Sequence, residues 1–446
     1  MTTRSLDLAD RLVRAVTAGD ADTARICLEQ GAAPDSPGPD GLPLLCIAVA
    51  RMDPLTAEVL VDGGADQDRV LADGSTPLLR AVDAGSPALV DVVLGNAPRL
   101  RLSASFRQRL LDLARHWHET GVADELRRRT GALGSVVVHR IDEGHRGDTL
   151  DEISLGGHTV RDGHGAILTH LEWEFGVLAP FADVMARAVP HARVDDSNWF
   201  AAAYYLGARR GPLVWSALTA LRRHPDPLHR RFLAQVMGHR CFHADIGLAP
   251  AAVHDVDFLA SWARDESDGQ VLAAVLDVFS GRNHPDQEAI GLRYTHHWDP
   301  RVRSEAVFCV SQERTARSEA AISALLGLVH DPEPEVRASV AQVFAPRFTP
   351  DKHLAPAFRD ALLVLVCDDS LWVRRHAAQS LACSDDRTGP TLDAFLALLD
   401  ETDPDLRLEA AWALARRGDP RAAEAYERVG PLDAFSEHDH RLSAAW

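Results

Sequence analysis

The segment Asp331-Pro332-Glu333-Pro334-Glu335-Val336-Arg337 decides the fold of this chain. Aspartate is favoured just before a helix, and proline either ends the preceding helix or occupies the first turn of the next. An apolar residue and an arginine then follow in the new helix. Four such copies occur in the C-terminal part of the chain, with serine in place of proline in the third, and their arginines lie 34, 37 and 33 residues apart at Arg303, Arg337, Arg374 and Arg407. Such a period predicts a stack of helix pairs.

Less complete copies extend this series toward the N-terminus. Asp226-Pro227 opens a copy that ends in Arg230, whereas the copies that begin at Asp195 and Asp268 lack the arginine. The series resembles the HEAT repeat, in the short bacterial form likened to the HEAT-like repeats of phycobilisome lyases. The resemblance implies an α-solenoid over residues 177–446 with about seven units. It also implies that the arginines pair with turn aspartates of adjacent units, the matching residues being Asp299, Asp331, Asp369 and Asp403.

A second period occupies the N-terminal part of the chain. Gly31-Ala32 returns as Gly64-Ala65, and Asp40-Gly41 returns as Asp73-Gly74, both after 33 residues. This period resembles the ankyrin repeat, although Leu45 and Leu79 stand where that family has histidine. The resemblance implies about three helix pairs. We expect an ankyrin-repeat domain over residues 1–130, in which helical residues 103–130 cap the stack.

The segment between the two series follows neither period. Residues 131–196 contain 11 acidic residues, five arginines and six histidines. Their glycines and β-branched residues favour an irregular junction or a short β-hairpin, followed by a helix near residues 166–175. We therefore predict an all-α fold of two stacked α-solenoid modules, ankyrin then HEAT-like, joined by an acidic, histidine-rich junction over residues 131–176.

Composition excludes several classes of protein. The 446 residues are 46% hydrophobic and 25% charged, as in folded proteins rather than disordered or collagen-like ones. The formal net charge of -18 repels a phosphate backbone, so we expect no nucleic acid partner. No apolar run approaches the roughly 18 residues of a membrane span, and the N-terminus does not resemble a secretory signal. Six cysteines without a C-x-x-C pair favour the cytoplasm, and the predominance of Arg over Lys favours a bacterial source.

Catalysis is the alternative to a purely binding function. A carboxylate beside apolar walls has the raised pKa that acid catalysis needs. A HEAT-scaffold enzyme, such as a small-molecule lyase, cyclase or isomerase, would use His170, Glu172 and Glu174 beside Trp173, Trp199 and Tyr205. A DNA glycosylase on this scaffold would need a basic concave face, which the net charge disfavours. No phosphate-binding loop or nucleophile elbow is present, and we expect no cofactor.

One pair of histidines has the spacing of metal ligands. His239 and His243 would share a face if one helix ran through both. Gly238 is a natural helix end, however, so we predict a loop between repeats and no metal there.

Binding is the function that the pattern favours, because the recurring residues serve the stacking of repeats. The aromatic residues predicted to contact a partner are Trp173, Trp199, Tyr205, Trp215 and Trp372, with packing between repeats as their alternative role. We expect a scaffold or adaptor that presents a concave surface to a protein or peptide. Since the chain is acidic, the partner should carry basic residues and its binding should weaken with salt.

Overall fold

Two compact units make up the chain. The computed structural model describes residues 3–39, 41–143, 148–248, 253–311, 317–346, 354–430 and 439–445. One unit, the N-terminal unit, contains Met1–His224 and Gln235–Pro250. The other, the C-terminal unit, contains Pro225–Ala234 and Ala251–Trp446. Within the described residues, no helix is both long and apolar enough to cross a membrane. The limits expected for the three domains stay a prediction, and Asp40 and residues 144–147 lie outside the described residues.

Helix pairs with a 33-residue step open the N-terminal unit. The second helix of each pair begins at an equivalent position, where the side chain of Asp20, Asp53 or Ser86 accepts a hydrogen bond from a backbone N–H of the first turn. Buried leucine, valine and alanine side chains fill the space between the pairs. The helices are α1 (Thr3–Ala18), α2 (Ala21–Glu29), α3 (Leu44–Ala50), α4 (Pro54–Asp62), α5 (Pro77–Asp83) and α6 (Pro87–Leu94).

The predicted cap and junction follow these pairs. The helical stretch expected over residues 103–130 is divided at Gly121, whose φ is +82°. The predicted hairpin is a three-stranded antiparallel sheet, in which Arg140 faces Asp151 and Ile153 faces Val160. The elements are α7 (Pro98–Arg101), α8 (Ala104–Thr120), α9 (Val122–Thr130), β1 (Val137–Asp142), β2 (Thr149–Leu155) and β3 (His158–Arg161).

Hydrogen bonds fasten the sheet to the third helix pair. The N–H of Arg161 donates to the carbonyl of Ala84 at 2.9 Å, and the N–H of Gly163 donates to the carbonyl of Gly85 at 3.1 Å. Glu143, just after β1, accepts from the Ser86 hydroxyl at 2.6 Å. Its carboxylate also pairs with the Arg161 guanidinium at 3.0 Å. The sheet therefore holds the N-terminus of α6.

The rest of the N-terminal unit is helical, and α10 begins two residues before the position predicted. One expectation is wrong: the last helix continues through Gly238, so His239 and His243 lie on a helix and not in a loop. Glycine inside a helix costs about 1 kcal/mol, which the packing of this helix outweighs. A Cβ on Gly207 would lie 2.8 Å from Cβ of His239, so glycine allows this close approach. The helices are α10 (His164–Phe175), α11 (Phe181–Ala188), α12 (Ser197–Ala208), α13 (Pro212–Leu221) and α14 (Pro227–Asp245), of which residues 227–234 belong to the C-terminal unit.

Two layers of helices form the C-terminal unit. Alternate helices from α16 to α24 pack against one another in succession, and the odd-numbered helices from α17 to α23 form the other layer. Buried aliphatic side chains of both layers form one core. The helices are α15 (Val253–Asp265), α16 (Gly269–Ser280), α17 (Gln287–Tyr294), α18 (Pro300–Val310), α19 (Glu319–Leu328), α20 (Pro334–Val343), α21 (Pro356–Leu365), α22 (Leu371–Cys383), α23 (Gly389–Leu398), α24 (Pro404–Arg416) and α25 (Ala422–Val429).

The recurring arginines join successive repeats of the C-terminal unit, as the resemblance implied. Arg303 binds Asp331 through two nitrogens, at 2.7 and 2.8 Å. Arg337 binds Asp368 in the same way, at 2.6 and 2.8 Å, and this pairing lowers the pKa of the Asp368 carboxyl. Nη1 of Arg337 also donates to the carbonyls of Asp331 and Pro332 in the turn before its own helix.

Some expected partners of the arginines are wrong. Asp368 and not Asp369 binds Arg337, and Arg374 reaches Glu401. Asp299 instead pairs with Arg301, and Asp403 pairs with Arg375. The period fixes where each arginine lies, whereas turn geometry decides which carboxylate it meets.

Candidate functional site

A pocket lies in the N-terminal unit between α6, α10 and α12. Its volume is about 80 Å³. Helix α12 supplies one wall through Ser197, Phe200, Ala201, Tyr204 and Tyr205. These positions follow the three- and four-residue spacing of one helix face. The other lining residues are Pro87, Ala88 and Asp91 of α6, Ala166 and His170 of α10, and the acidic residues Glu143 and Asp148 beside the sheet.

A buried asparagine connects α12 to α10. The Asp196 side chain caps α12 by accepting from the N–H of Asn198 at 2.9 Å. The Asn198 side-chain oxygen accepts from the N–H of Ala166 at 2.9 Å, and its amide nitrogen donates to the carbonyl of Asp162 at 2.8 Å. A Cβ on Gly165 would lie 2.9 Å from that side-chain oxygen. The starts of both helices are therefore fixed relative to each other, which sets the spacing of the pocket walls.

Aromatic rings contact one another along this wall. The ring of Tyr205 lies 5.8 Å from His170, 5.5 Å from Trp173 and 5.2 Å from Tyr204, measured between centroids. Tyr204 and Tyr205 are nearly perpendicular, at 89°. Phe200 stacks on Tyr204 at 5.8 Å. We call Phe200, Tyr204 and Tyr205 the aromatic wall of the pocket.

The three residues of the enzyme alternative do not meet in one place. His170 lines the pocket, with its Nε2 3.9 Å from Oδ1 of Asp91. Glu172 is buried and binds Arg187 through both oxygens, at 2.7 and 3.0 Å. Glu174 is half-buried, and its pKa is raised by burial and then by the charge of Asp91. Residues two apart on a helix point to nearly opposite sides, so Glu172 faces away from the other two. This geometry does not favour a joint acid–base site.

The predicted aromatic contact residues have different environments. Trp199 is fully buried, so the packing alternative describes it and it offers no surface to a partner. Trp173 is 39% exposed beside Tyr205. Trp215 is half-buried, with the guanidinium carbon of Arg240 5.7 Å from its ring. In the C-terminal unit, Trp372 is 57% exposed, and its ring lies 4.3 Å from that of His376.

The two histidines of α14 belong to the aromatic surroundings of the pocket wall. Their rings contact Tyr204, with centroids 5.6 Å away for His239 and 4.5 Å for His243. Burial, and then the charge of His243, lowers the pKa of His239 to about 4. Among the residues that the structure describes, no three His, Cys, Asp or Glu side chains are grouped to hold a metal ion.

The sequence analysis missed several exposed or pocket-lining residues. Asp91, Glu143 and Asp148 come from segments far from α12, and no pattern links them. Phe200 had a signal in its spacing relative to Tyr204 and Tyr205. Trp298, directly before the Asp299-Pro300 turn, is 75% exposed.

The comparisons with known proteins concern the fold. Residues 256–345 and 355–428 match the family described as HEAT repeats. No curated protein matches the chain. Among solved structures, YibA of Escherichia coli is 17% identical, with a TM-score of 0.41, over 61% of this chain and 94% of that one. An engineered protein is 15% identical, with a TM-score of 0.29, over 96% of this chain and 100% of that one.

Proposed function

We propose that this protein is a scaffold that binds a protein or peptide partner carrying basic residues. The exposed Trp372 on the repeat stack carries the proposal. Half of its surface contacts nothing in the chain, and Leu371 beside it is 38% exposed. Large aromatic residues on a surface are preferred anchors of protein interfaces. The proposal includes the ankyrin type for the N-terminal helix pairs and a concave binding face for the HEAT-like repeats.

The arginine pairs support a binding role of this kind. The guanidinium groups of Arg303 and Arg337 donate hydrogen bonds to an aspartate of the next repeat and to a carbonyl of the turn before their own helix. These arginines therefore stabilise the stacking of repeats. Contact with a partner then falls to the side chains that do not recur. These differ from repeat to repeat, as expected of a surface that recognises one sequence.

Charge supports the choice of partner and of compartment. A net charge of -18 attracts basic segments and speeds their association at low salt. The six cysteines are free thiols, which suits a reducing compartment such as the cytoplasm.

The test is a peptide array in which length is constant and net charge varies. Full-length protein should bind the basic peptides preferentially, and binding should fall as salt rises. Trp372→Ala should weaken the best peptide roughly tenfold, as expected for a central aromatic contact. Val364→Ala is the matched control, because Val364 is 52% exposed but lies on the other helix layer.

Two outcomes would contradict the proposal. If the bound peptides are no more basic than the array, the charge argument fails. If no peptide binds, or if both variants weaken binding equally, Trp372 is not a contact residue.

A further inference from the structure

We infer that the pocket between α6, α10 and α12 binds the guanidinium group of an arginine side chain. The inference rests on the proposed function, since it names the group of a basic partner that the N-terminal unit recognises. Three properties of the pocket carry it: the charge of its lining, the chemistry of its aromatic wall and its size.

The lining is acidic. Among the described lining residues, three are carboxylates and none is arginine or lysine. Glu143 is balanced by Arg161 and by the N-terminus of α6, where it also accepts from the N–H of Ala88 at 3.1 Å. Asp91 and Asp148 line the same space, with Nε2 of His170 3.9 Å from Oδ1 of Asp91. The field of Asp91 extends to Glu174, whose pKa it helps to raise. A cation is the ligand that such a lining favours.

The aromatic wall selects a flat cation. A guanidinium stacks on aromatic faces and binds carboxylates through two nitrogens at once, which an ammonium group cannot do. Tyr204 and Tyr205, whose rings contact each other at 89°, line the pocket together with Asp91. A planar cation in this pocket can therefore reach both an aromatic side chain and a carboxylate.

The size of the pocket limits the ligand to a side-chain end. A water molecule needs roughly 10–15 Å³ of such space, so about 80 Å³ accommodates on the order of five to eight atoms. A guanidinium with its nearest methylene groups fits this volume. A nucleotide or a large cofactor does not, and small-molecule sites usually occupy several hundred Å³.

Titration of the full-length protein with arginine compounds tests the inference. The probe is Nα-acetyl-L-arginine amide, and its binding is measured by calorimetry. The citrulline analogue has the same shape without the charge and should bind at least tenfold more weakly. The lysine analogue should also bind more weakly, because it cannot stack as a plane. Asp91→Asn should weaken the arginine probe about tenfold.

A second variant and a control keep the test independent of folding. Ala88→Leu should fill the pocket and abolish probe binding, with an unchanged melting temperature. Asp22→Asn is the control, since Asp22 is an exposed carboxylate that pairs with Arg25 of its own helix, α2. Its binding of the probe should equal that of the wild type.

The outcomes separate this inference from the proposed function. The inference about the pocket is overturned if the citrulline and arginine compounds bind with equal affinity, or if Asp91→Asn and Ala88→Leu do not change the affinity. This holds even if basic peptides bind elsewhere on the protein. If the probe binds but no peptide binds, the inference about the pocket stands and the proposed scaffold function is refuted. If free L-arginine binds as tightly as the capped probe, the natural ligand is a small molecule with a guanidinium group. If the capped probe binds more tightly, the guanidinium belongs to an arginine of a partner protein.

Discussion

Replacement of Gly85 by alanine should detach the sheet from the helix pairs of the N-terminal unit. Gly85 has a φ of +71°, and a Cβ there would lie 1.8 Å from the carbonyl oxygen of Arg161 and 2.6 Å from Cε1 of His164. One repeat earlier the equivalent residue is Met52, with a φ of 54°. A side chain is therefore compatible with this backbone conformation. It is the approach of β3 that requires glycine at Gly85.

The magnitude follows from two terms. A left-handed conformation costs a residue with a Cβ about 1–2 kcal/mol. To bring the new Cβ from 1.8 Å to at least 3.0 Å from the Arg161 oxygen, β3 must move by more than 1 Å. That shift breaks the hydrogen bonds of Arg161 to Ala84 and of Gly163 to Gly85, each worth about 1 kcal/mol. We expect a total loss of about 3–4 kcal/mol.

Gly74→Ala is the matched control. Gly74 has a φ of +73°, and a Cβ there would meet no atom within 4 Å beyond its two chain neighbours, so only the conformational cost of about 1–2 kcal/mol applies. The effect of alanine on the unfolded chain is the same in both variants and cancels in the comparison.

Urea unfolding of both variants measures the difference, and hydrogen exchange of β2 and β3 locates it. Gly85→Ala should lose protection in both strands and should bind the arginine probe more weakly, because Glu143 and α6 are displaced. Gly74→Ala should change neither. Equal stability losses in the two variants would refute the claim that the sheet is fastened through this contact.

Two further perturbations test charged groups in the two units. Arg337→Met should destabilise the C-terminal unit by about 2–4 kcal/mol, because it leaves the Asp368 carboxylate, which is only 9% exposed, without its partner. Arg428→Met removes a partly exposed arginine whose partner carboxylate, Asp400, is 78% exposed, so it should have a much smaller effect, and thermal unfolding distinguishes the two variants. Burial lowers the pKa of His164 to about 3. As the pH falls, the unfolded state therefore binds the proton before the folded state does. The contribution of His164 to the free energy of unfolding is complete above about pH 6.5 and is lost progressively toward pH 3. His164→Phe should remove this loss in urea unfolding at different pH values, whereas a variant of exposed His158 should retain it.

The repeat architecture was predictable because the same residues both mark and build it. Asp299 and Asp403 cap helices that begin at the following proline, as their sequence context indicated. Arg337 lies in the first turn of α20 and reaches the next repeat. Helix capping acts over a few residues, and the arginine pairs act over one repeat period. Both separations can be recognised in a single sequence.

The pocket was not predictable because its residues have no fixed separation. Asp91, Glu143 and Tyr205 come from a repeat helix, the end of a strand and a later helix, and only tertiary packing brings them together. The same limit explains the wrong helix end at Gly238. Local propensity favours a break there, whereas the close contact with Gly207 stabilises a continuous helix.

The distribution of side chains between stacking and recognition indicates where binding should be sought. Nη1 of Arg303 donates to the carbonyls of His297 and Trp298, and its other nitrogens hold Asp331. A ligand that took such an arginine would leave a buried carboxylate and turn carbonyls unsatisfied, at a cost of several kcal/mol. Tyr205 lines the pocket instead, and its position has no counterpart in the arginine series. Recognition should therefore use positions where the period fails, and variants at those positions should change affinity while leaving the melting temperature nearly constant.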